Sequence, residues 1–194
     1  MNPLLKAALD YMHRGFYVIP MVPNNKERLV SAIDVWATED EILAWWSETP
    51  DANVGIVCGL VSGIVVIDID SLPEGRDHIL EHLPHGLVTP TVRTPRPGLH
   101  MYFKYDVRLP RQHGYSDIQR NIEWDFWGKG GIVVAPPSTT PKGDYTWAVS
   151  LDDAEIQPLP SSFLSLLPLE DIEQGNGAHG IEPSGKDFLS GFDL

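Results

Sequence analysis

The sequence predicts an α+β domain, in which a mixed or largely antiparallel sheet is flanked by a few helices. Two observations carry this. Short β-branched runs come in pairs across glycine-containing turns, and helical spacing of apolar residues is confined to a few short stretches between those pairs. With 194 residues, 42% of them hydrophobic and 21% charged, the chain can build one sizeable core.

Taken in order, Asn2-Pro3 supplies an N-cap and first-turn proline, and Leu4, Leu5, Ala8, Leu9 and Met12 recur with helical spacing until Gly15. A short strand, Tyr17 to Pro20, follows. Met21 to Val35, with Pro23, Asn24, Asn25 and Lys26, reads as a loop. Thr38-Glu39-Asp40-Glu41 has the form of a capping box, after which Ile42, Trp45 and Trp46 face the core from a short helix. Val54 to Cys58 and Ile64 to Ile67, separated by Gly59-Leu60-Val61-Ser62-Gly63, have hairpin spacing and should be adjacent strands. Pro73 and Glu74 open a helix running through Leu83 to Pro84. Two more strand pairs are predicted: Val92-Arg93-Thr94 with Leu99 to Phe103, and Asn121 to Trp127 with Ile132 to Ala135. Tyr145-Thr146-Trp147 makes a last short strand and Ser161 to Leu167 a closing helix. The domain therefore spans residues 1–167. Residues 168–194 lose all periodicity among Gly175, Gly177, Gly180, Pro183 and Gly185 and read as a disordered acidic tail or linker. Its end, Asp187 to Leu194, alternates acids with aromatics and is either a frayed terminus or a docking peptide.

No apolar run approaches the roughly 20 residues that span a bilayer, so a cytoplasmic protein without a membrane partner is expected. The single cysteine, Cys58, lies inside an apolar run and is read as core, which rules out a disulfide framework or a cysteine zinc site within the chain. The formal charge of -13 argues on average against nucleic acid, but it is unevenly spread. Between Thr91 and Lys129 seven basic residues face four acidic ones, a net +3 against -16 elsewhere. This is either a phosphate-binding region or a solvated basic face.

Chemistry concentrates on three short segments. Side chains two apart on a strand share a face, so Asp68 and Asp70 set two carboxylates side by side while Ile67 and Ile69 enter the opposite, buried layer. Hard cations such as Mg²⁺ or Mn²⁺ take oxygen ligands of this kind; alternatively the pair simply ends a strand. His100 follows Gly98-Leu99 on a predicted strand. A third acid stands in Ile122-Glu123-Trp124-Asp125-Phe126-Trp127, where Glu123 and Asp125 share a face and either is a candidate ligand.

In this order the segments Asp68-Ile69-Asp70, Gly98-Leu99-His100, Asp125 and Gly130-Gly131-Ile132-Val133-Val134-Ala135-Pro136-Pro137-Ser138 resemble the bifunctional primase-polymerase (prim-pol) domain. That domain belongs to the archaeo-eukaryotic primase superfamily of plasmid and phage replication proteins. Arg14 to Pro20, Trp45-Trp46, Asn53 to Ile56 and Tyr145-Thr146-Trp147 match as well, so the resemblance covers about residues 4 to 167. It implies a primase-like fold with an RRM-like catalytic core. It also implies that Asp68, Asp70 and Asp125 hold two Mg²⁺ or Mn²⁺ ions while His100 contacts the triphosphate of the incoming (d)NTP. Asp125 rather than Glu123 is the ligand on this reading.

Two positions depart from the family pattern. Gly98 stands where a small hydroxyl residue is common, so its main-chain amide would serve the phosphate. Lys26-Glu27-Arg28 replaces a lysine, any residue, proline sequence. Arg93, Arg96 and Lys129 lie nearest the motifs and are candidates for phosphate contacts, while Pro136-Pro137-Ser138 is read as a structural strand exit. The reaction implied is metal-dependent nucleotidyl transfer to a primer or initiating nucleotide on single-stranded DNA. A metal-dependent nuclease and a non-catalytic nucleic-acid-binding module are the rivals. Relatives are often fused to a helicase, for which this chain has no room, so a helicase would act in trans or in a longer polypeptide.

Overall fold

The computed structural model describes residues 2–30 and 36–169. Helix α1 (Pro3–His13) starts as expected, with the Asn2 side chain accepting from the Leu4 amide at 2.8 Å. Strand β1 (Val18–Met21) leads into a tight excursion rather than an open loop: the Leu29 amide returns to the Pro20 carbonyl at 3.0 Å and Met21 bridges Arg28. Helix α2 (Glu39–Glu48) begins on the Thr38/Glu41 capping box and buries Ile42 and Trp46, with Trp45 packed beside them.

Strands β2 (Asn53–Val57) and β3 (Ile64–Ile69), helix α3 (Glu74–Glu81), and strands β4 (Thr91–Thr94), β5 (Gly98–Lys104), β6 (Gln112–Asp117), β7 (Ile122–Trp127) and β8 (Ile132–Ala135) follow. A two-residue hairpin, β9 (Thr139–Thr140) with β10 (Gly143–Asp144), precedes β11 (Thr146–Val149), β12 (Gln157–Pro158) and helix α4 (Ser161–Leu164). The large sheet has the order β11-β4-β5-β3-β7-β6, antiparallel throughout, with β12 added in parallel along β5. A second, antiparallel sheet has the order β1-β2-β8. The result is α+β with mostly antiparallel sheets and few helices, as expected.

Two predicted hairpins are corrected. β2 does not pair with β3, nor β7 with β8; each pair is split between the two sheets. The reason is burial. β3 is apolar on both faces and needs a neighbour on each edge, which β5 and β7 supply, whereas the fully buried β2 sits between β1 and β8. Only the bridge from Gly59 to Ile64 remains of the first hairpin. The two crossings are knitted together, with the Cys58 amide donating to the Gly131 carbonyl at 2.7 Å and the Gly130 amide to the Cys58 carbonyl at 3.1 Å. Gly59 takes φ +103°, and a Cβ there would lie 2.7 Å from the Lys129 Cα.

Each face of the large sheet has its own core. Val66, Val92 and Tyr102 pack against the small sheet, α1 and α2, while Val65, Ile67, Ile69, Phe103, Trp124 and Phe126 pack with Ile79 of α3 and Phe163 of α4. Cys58 is buried, as expected. From residue 170 onward the predicted tail, including its aromatic end, lies outside the described residues. So do residues 31–35 of the predicted loop. Among the described residues no helix is long and apolar enough to cross a membrane.

Candidate active site

Sheet register brings the three sequence motifs together. On β3, Asp68 stands directly opposite His100 of β5 on one side and Asp125 of β7 on the other. Cross-strand partners of this kind have Cβ atoms about 4.5–5.5 Å apart. Asp70 lies just past the end of β3, where its amide still donates to the Glu123 carbonyl at 3.1 Å, so the pairing with β7 continues one step. Alternation along the strands then places four carboxylates on one face as a two-by-two lattice, Asp68 beside Asp125 and Asp70 beside Glu123. The opposite face of the same strands carries Ile67, Ile69, Trp124 and Phe126 into the second core.

Electrostatics separates these acids. Burial works against the charge on Asp68, but His100, Lys26 and the Trp127 indole more than offset it and hold its carboxyl below the usual range. The His100 Nε2 is 3.4 Å from Asp68 Oδ1. Asp70 goes the other way, pushed up to about 6 by burial and by the charges of Asp68, Glu123 and Asp125. Asp125 is raised by the same kinds of cause, burial first and then Asp68 and Glu123. A half-buried carboxylate held among three others is the donor chemistry that a divalent cation relieves.

Among the described residues, no three His, Cys, Asp or Glu side chains are arranged to hold a metal by themselves. That agrees with Mg²⁺ chemistry, in which one or two carboxylates share the ion with waters and substrate phosphates rather than caging it. The donor set therefore fits a hard cation completed by a phosphorylated substrate.

Above the acids lies a cleft of about 230 Å³ whose lining includes Asp68, Asp70, Lys26, Arg96, Thr140 and Lys142. A second lobe of about 180 Å³ shares Lys26 and Asp68 and reaches His100, Trp127 and Tyr145. The His100 ring is 3% exposed, and its Nδ1 has no hydrogen-bond partner among the described residues. The Lys26 ammonium lies 6.0 Å from the centre of the Tyr145 ring, which in turn is 5.7 Å from His100. Lys26 is held in place from below. The buried Asn53 amide donates to the Asn25 carbonyl at 3.0 Å and the Thr139 carbonyl at 2.6 Å, and accepts from the Thr139 amide at 3.0 Å. One side chain thus ties the Lys26 turn to the hairpin that carries Thr140 and Lys142.

Of the residues singled out from sequence, Asp68, Asp70, Asp125, His100, Lys26 and Arg96 converge here. Gly98 is buried at the adjoining turn, where a Cβ would lie 2.5 Å from the Ile69 carbonyl oxygen. Arg93 does not line the cleft: its neighbour Val92 pairs with His100, so Arg93 projects from the opposite face, reaching the Trp147 carbonyl at 3.5 Å. Lys129 lies beyond Trp127, outside the cleft. Ser138 is a structural joint, wholly buried with its Oγ accepting from the Val54 amide at 2.8 Å.

Sequence reading missed Thr140 and Lys142. Their signal was a lysine between Pro141 and Gly143, a turn composition that presents its side chain outward.

A consequence of the acid lattice is that Asp70→Asn should raise thermal stability at pH 7 in metal-free buffer while impairing cation binding. In the native state Asp70 holds its proton up to about pH 6, whereas in the unfolded chain it ionises near pH 4. As pH rises through that window the native state loses stability, and the loss persists above it. With half exposure allowed for, the gain on removing the charge is about 1 kcal/mol, or roughly 2–4 °C in Tm. Melting curves in chelator across pH 4 to 8 check this: the two proteins should converge at low pH and separate above 6.

Comparison with curated proteins gives no match. A family model described as "Bifunctional DNA primase/polymerase, N-terminal" matches residues 8–162, a stretch that includes both sheets, the acid lattice, His100 and the Thr140/Lys142 hairpin. Since the match runs through most of the chain and through every element that builds the cleft, this chain belongs to the bifunctional DNA primase/polymerase family.

Proposed function

We propose that the domain is a DNA primase/polymerase that joins nucleotides on a single-stranded DNA template. The 3'-hydroxyl of a primer or initiating nucleotide attacks the α-phosphate of a (d)NTP; the new phosphodiester P–O bond forms as the bond to the β-phosphate breaks, and pyrophosphate leaves. The observation that carries this reading is the row His100, Asp68 and Asp125 on three adjacent strands, with Asp70 beside it and cations at the cleft mouth. Asp68, Asp70 and Asp125 are the groups that would hold Mg²⁺ or Mn²⁺, which when bound supplies activation of the hydroxyl and neutralises the leaving pyrophosphate.

The remaining roles fall to the chain's own groups. Lys26, Arg96 and Lys142 neutralise and orient the triphosphate, which must otherwise approach a cluster of carboxylates. His100 offers its unpartnered Nδ1 to a phosphate oxygen, and its contact with Asp68 fixes the ring. The large sheet, with the acids on its central strands, is on this reading the RRM-like core of an archaeo-eukaryotic-primase-like fold. Its partners are template, primer and nucleotides, with a helicase to open duplex DNA.

Incubation with single-stranded DNA, labelled nucleotides and Mg²⁺ or Mn²⁺, with and without a primer, tests the reading. Extended products and stoichiometric pyrophosphate support it. Shortened DNA without pyrophosphate would identify a nuclease instead, and neither product would leave the domain a binding module.

A further inference from the structure

A second pocket, of about 320 Å³, lies against the outer side of Trp127, away from the acid pair. Its lining comprises Arg111, Gln112, Trp127, Lys129, Gly130 and Gly131, together with Ile132, and contains no acid. It shares Trp127 and Ile132 with the His100 lobe of the cleft, so the two sites are separated by one indole ring. Arg111 and Lys129 are both exposed, and neither is ion-paired with a carboxylate among the described residues. We propose that this pocket seats the single-stranded DNA template next to the active centre, with Arg111 and Lys129 on its phosphates and Trp127 as a stacking platform. The inference rests on the polymerase reading above and deepens it by giving the two basic clusters different ligands.

The division follows from what each cluster faces. Lys26, Arg96 and Lys142 share their cleft with Asp68 and Asp70, so a phosphate bound there lies within reach of a cation held by those acids, as a triphosphate requires. Arg111 and Lys129 have no carboxylate in their pocket. A phosphate bound there is neutralised by the two side chains alone, which suits the single negative charge of each phosphodiester.

Backbone geometry opens the floor. Gly130 has φ +79°, and a Cβ on it would lie 3.4 Å from the Arg111 guanidinium. A Cβ on Gly131 would press to 3.1–3.3 Å on the Trp127 side chain. Side chains at these positions would crowd the ring and the guanidinium that the strand is to meet. The Trp127 indole is also anchored by its hydrogen bond to Asp68. A base stacked on the free part of that ring is therefore held at a set position relative to the catalytic acids, and stacking of this kind tolerates any base.

The test separates binding from chemistry. Fluorescence anisotropy of a labelled single-stranded oligonucleotide, in chelator so that no turnover occurs, should show R111A/K129A binding at least about tenfold more weakly than the parent. The slope of log affinity against log salt should shrink by roughly two. Binding of a labelled dNTP with Mn²⁺ should be unchanged in that variant and weakened in K26A/K142A, which should in turn keep its DNA affinity. All four substituted side chains are exposed, and superimposable melting curves would confirm that the variants are folded.

Unaltered DNA affinity in folded R111A/K129A, or an equal loss of DNA and dNTP affinity, would overturn the assignment. Either outcome is independent of whether the parent protein extends primers, so failure of this inference is distinct from failure of the polymerase reading.

Discussion

Asp68→Asn should reduce primer extension by about a thousandfold or more, roughly 4 kcal/mol of transition-state stabilisation, with the fold intact. Asp68 is the only carboxylate with a direct cross-strand partner on both sides, His100 and Asp125. It is also the acid whose surroundings hold it ionised, whereas Asp70 and Asp125 are pushed toward their neutral forms. Its charge is thus the one most firmly available to a cation at neutral pH. The asparagine is isosteric and retains the His100 contact through its carbonyl oxygen, so thermal stability should change little. Steady-state extension assays with Mg²⁺ and Mn²⁺, paired with melting curves, check both halves. Residual activity within tenfold of the parent would mean that Asp68 does not hold the cation.

Trp124→Ala should produce the largest loss of stability, about 3–5 kcal/mol. Trp124 is 1% exposed, stacks on Tyr115 with ring centres 5.7 Å apart, and meets Phe163 of α4 at 5.5 Å. Truncation removes the side chain that joins β6, β7 and α4, and that packing cannot close around the void without moving β7. With native domains stable by only 5–15 kcal/mol, this is a large fraction of the total, and Tm should fall by on the order of 10 °C. Trp124→Phe should cost much less, because the indole N–H has no hydrogen-bond partner to lose among the described residues. Denaturant titration separates the variants. Because Trp124 lies between Glu123 and Asp125, the alanine variant should also lose activity below its unfolding temperature.

Much of this site was legible because it is written in strand alternation. Asp68 and Asp70 interrupt a buried run at positions two apart, and such a pattern places them on one face wherever the strand is put. The helices were equally legible, since the Asn2 and Thr38 caps are local devices whose hydrogen bonds close within three residues. Strand partners were not. Gly59 to Gly63 and Gly128 to Gly131 look like hairpin turns, but turn composition reports only that the chain reverses, not which sheet it enters. β6 escaped notice because an edge strand carrying Gln112, His113, Ser116 and Asp117 needs no apolar pattern.

The same distinction divides the catalytic centre. Residue types and local spacing by themselves determined that two acids share a face, that a histidine and a third acid follow on later strands, and that basic charge gathers between Thr91 and Lys129. Which of these residues meet was decided by tertiary structure alone. Register set Asp68 between His100 and Asp125, the Asn53 amide drew Lys26 to the Thr140/Lys142 hairpin, and Trp127 divided the basic residues into two pockets. The physical reason is that a strand's periodicity is local, whereas its neighbours are chosen by the burial of both its faces, a property of the whole core.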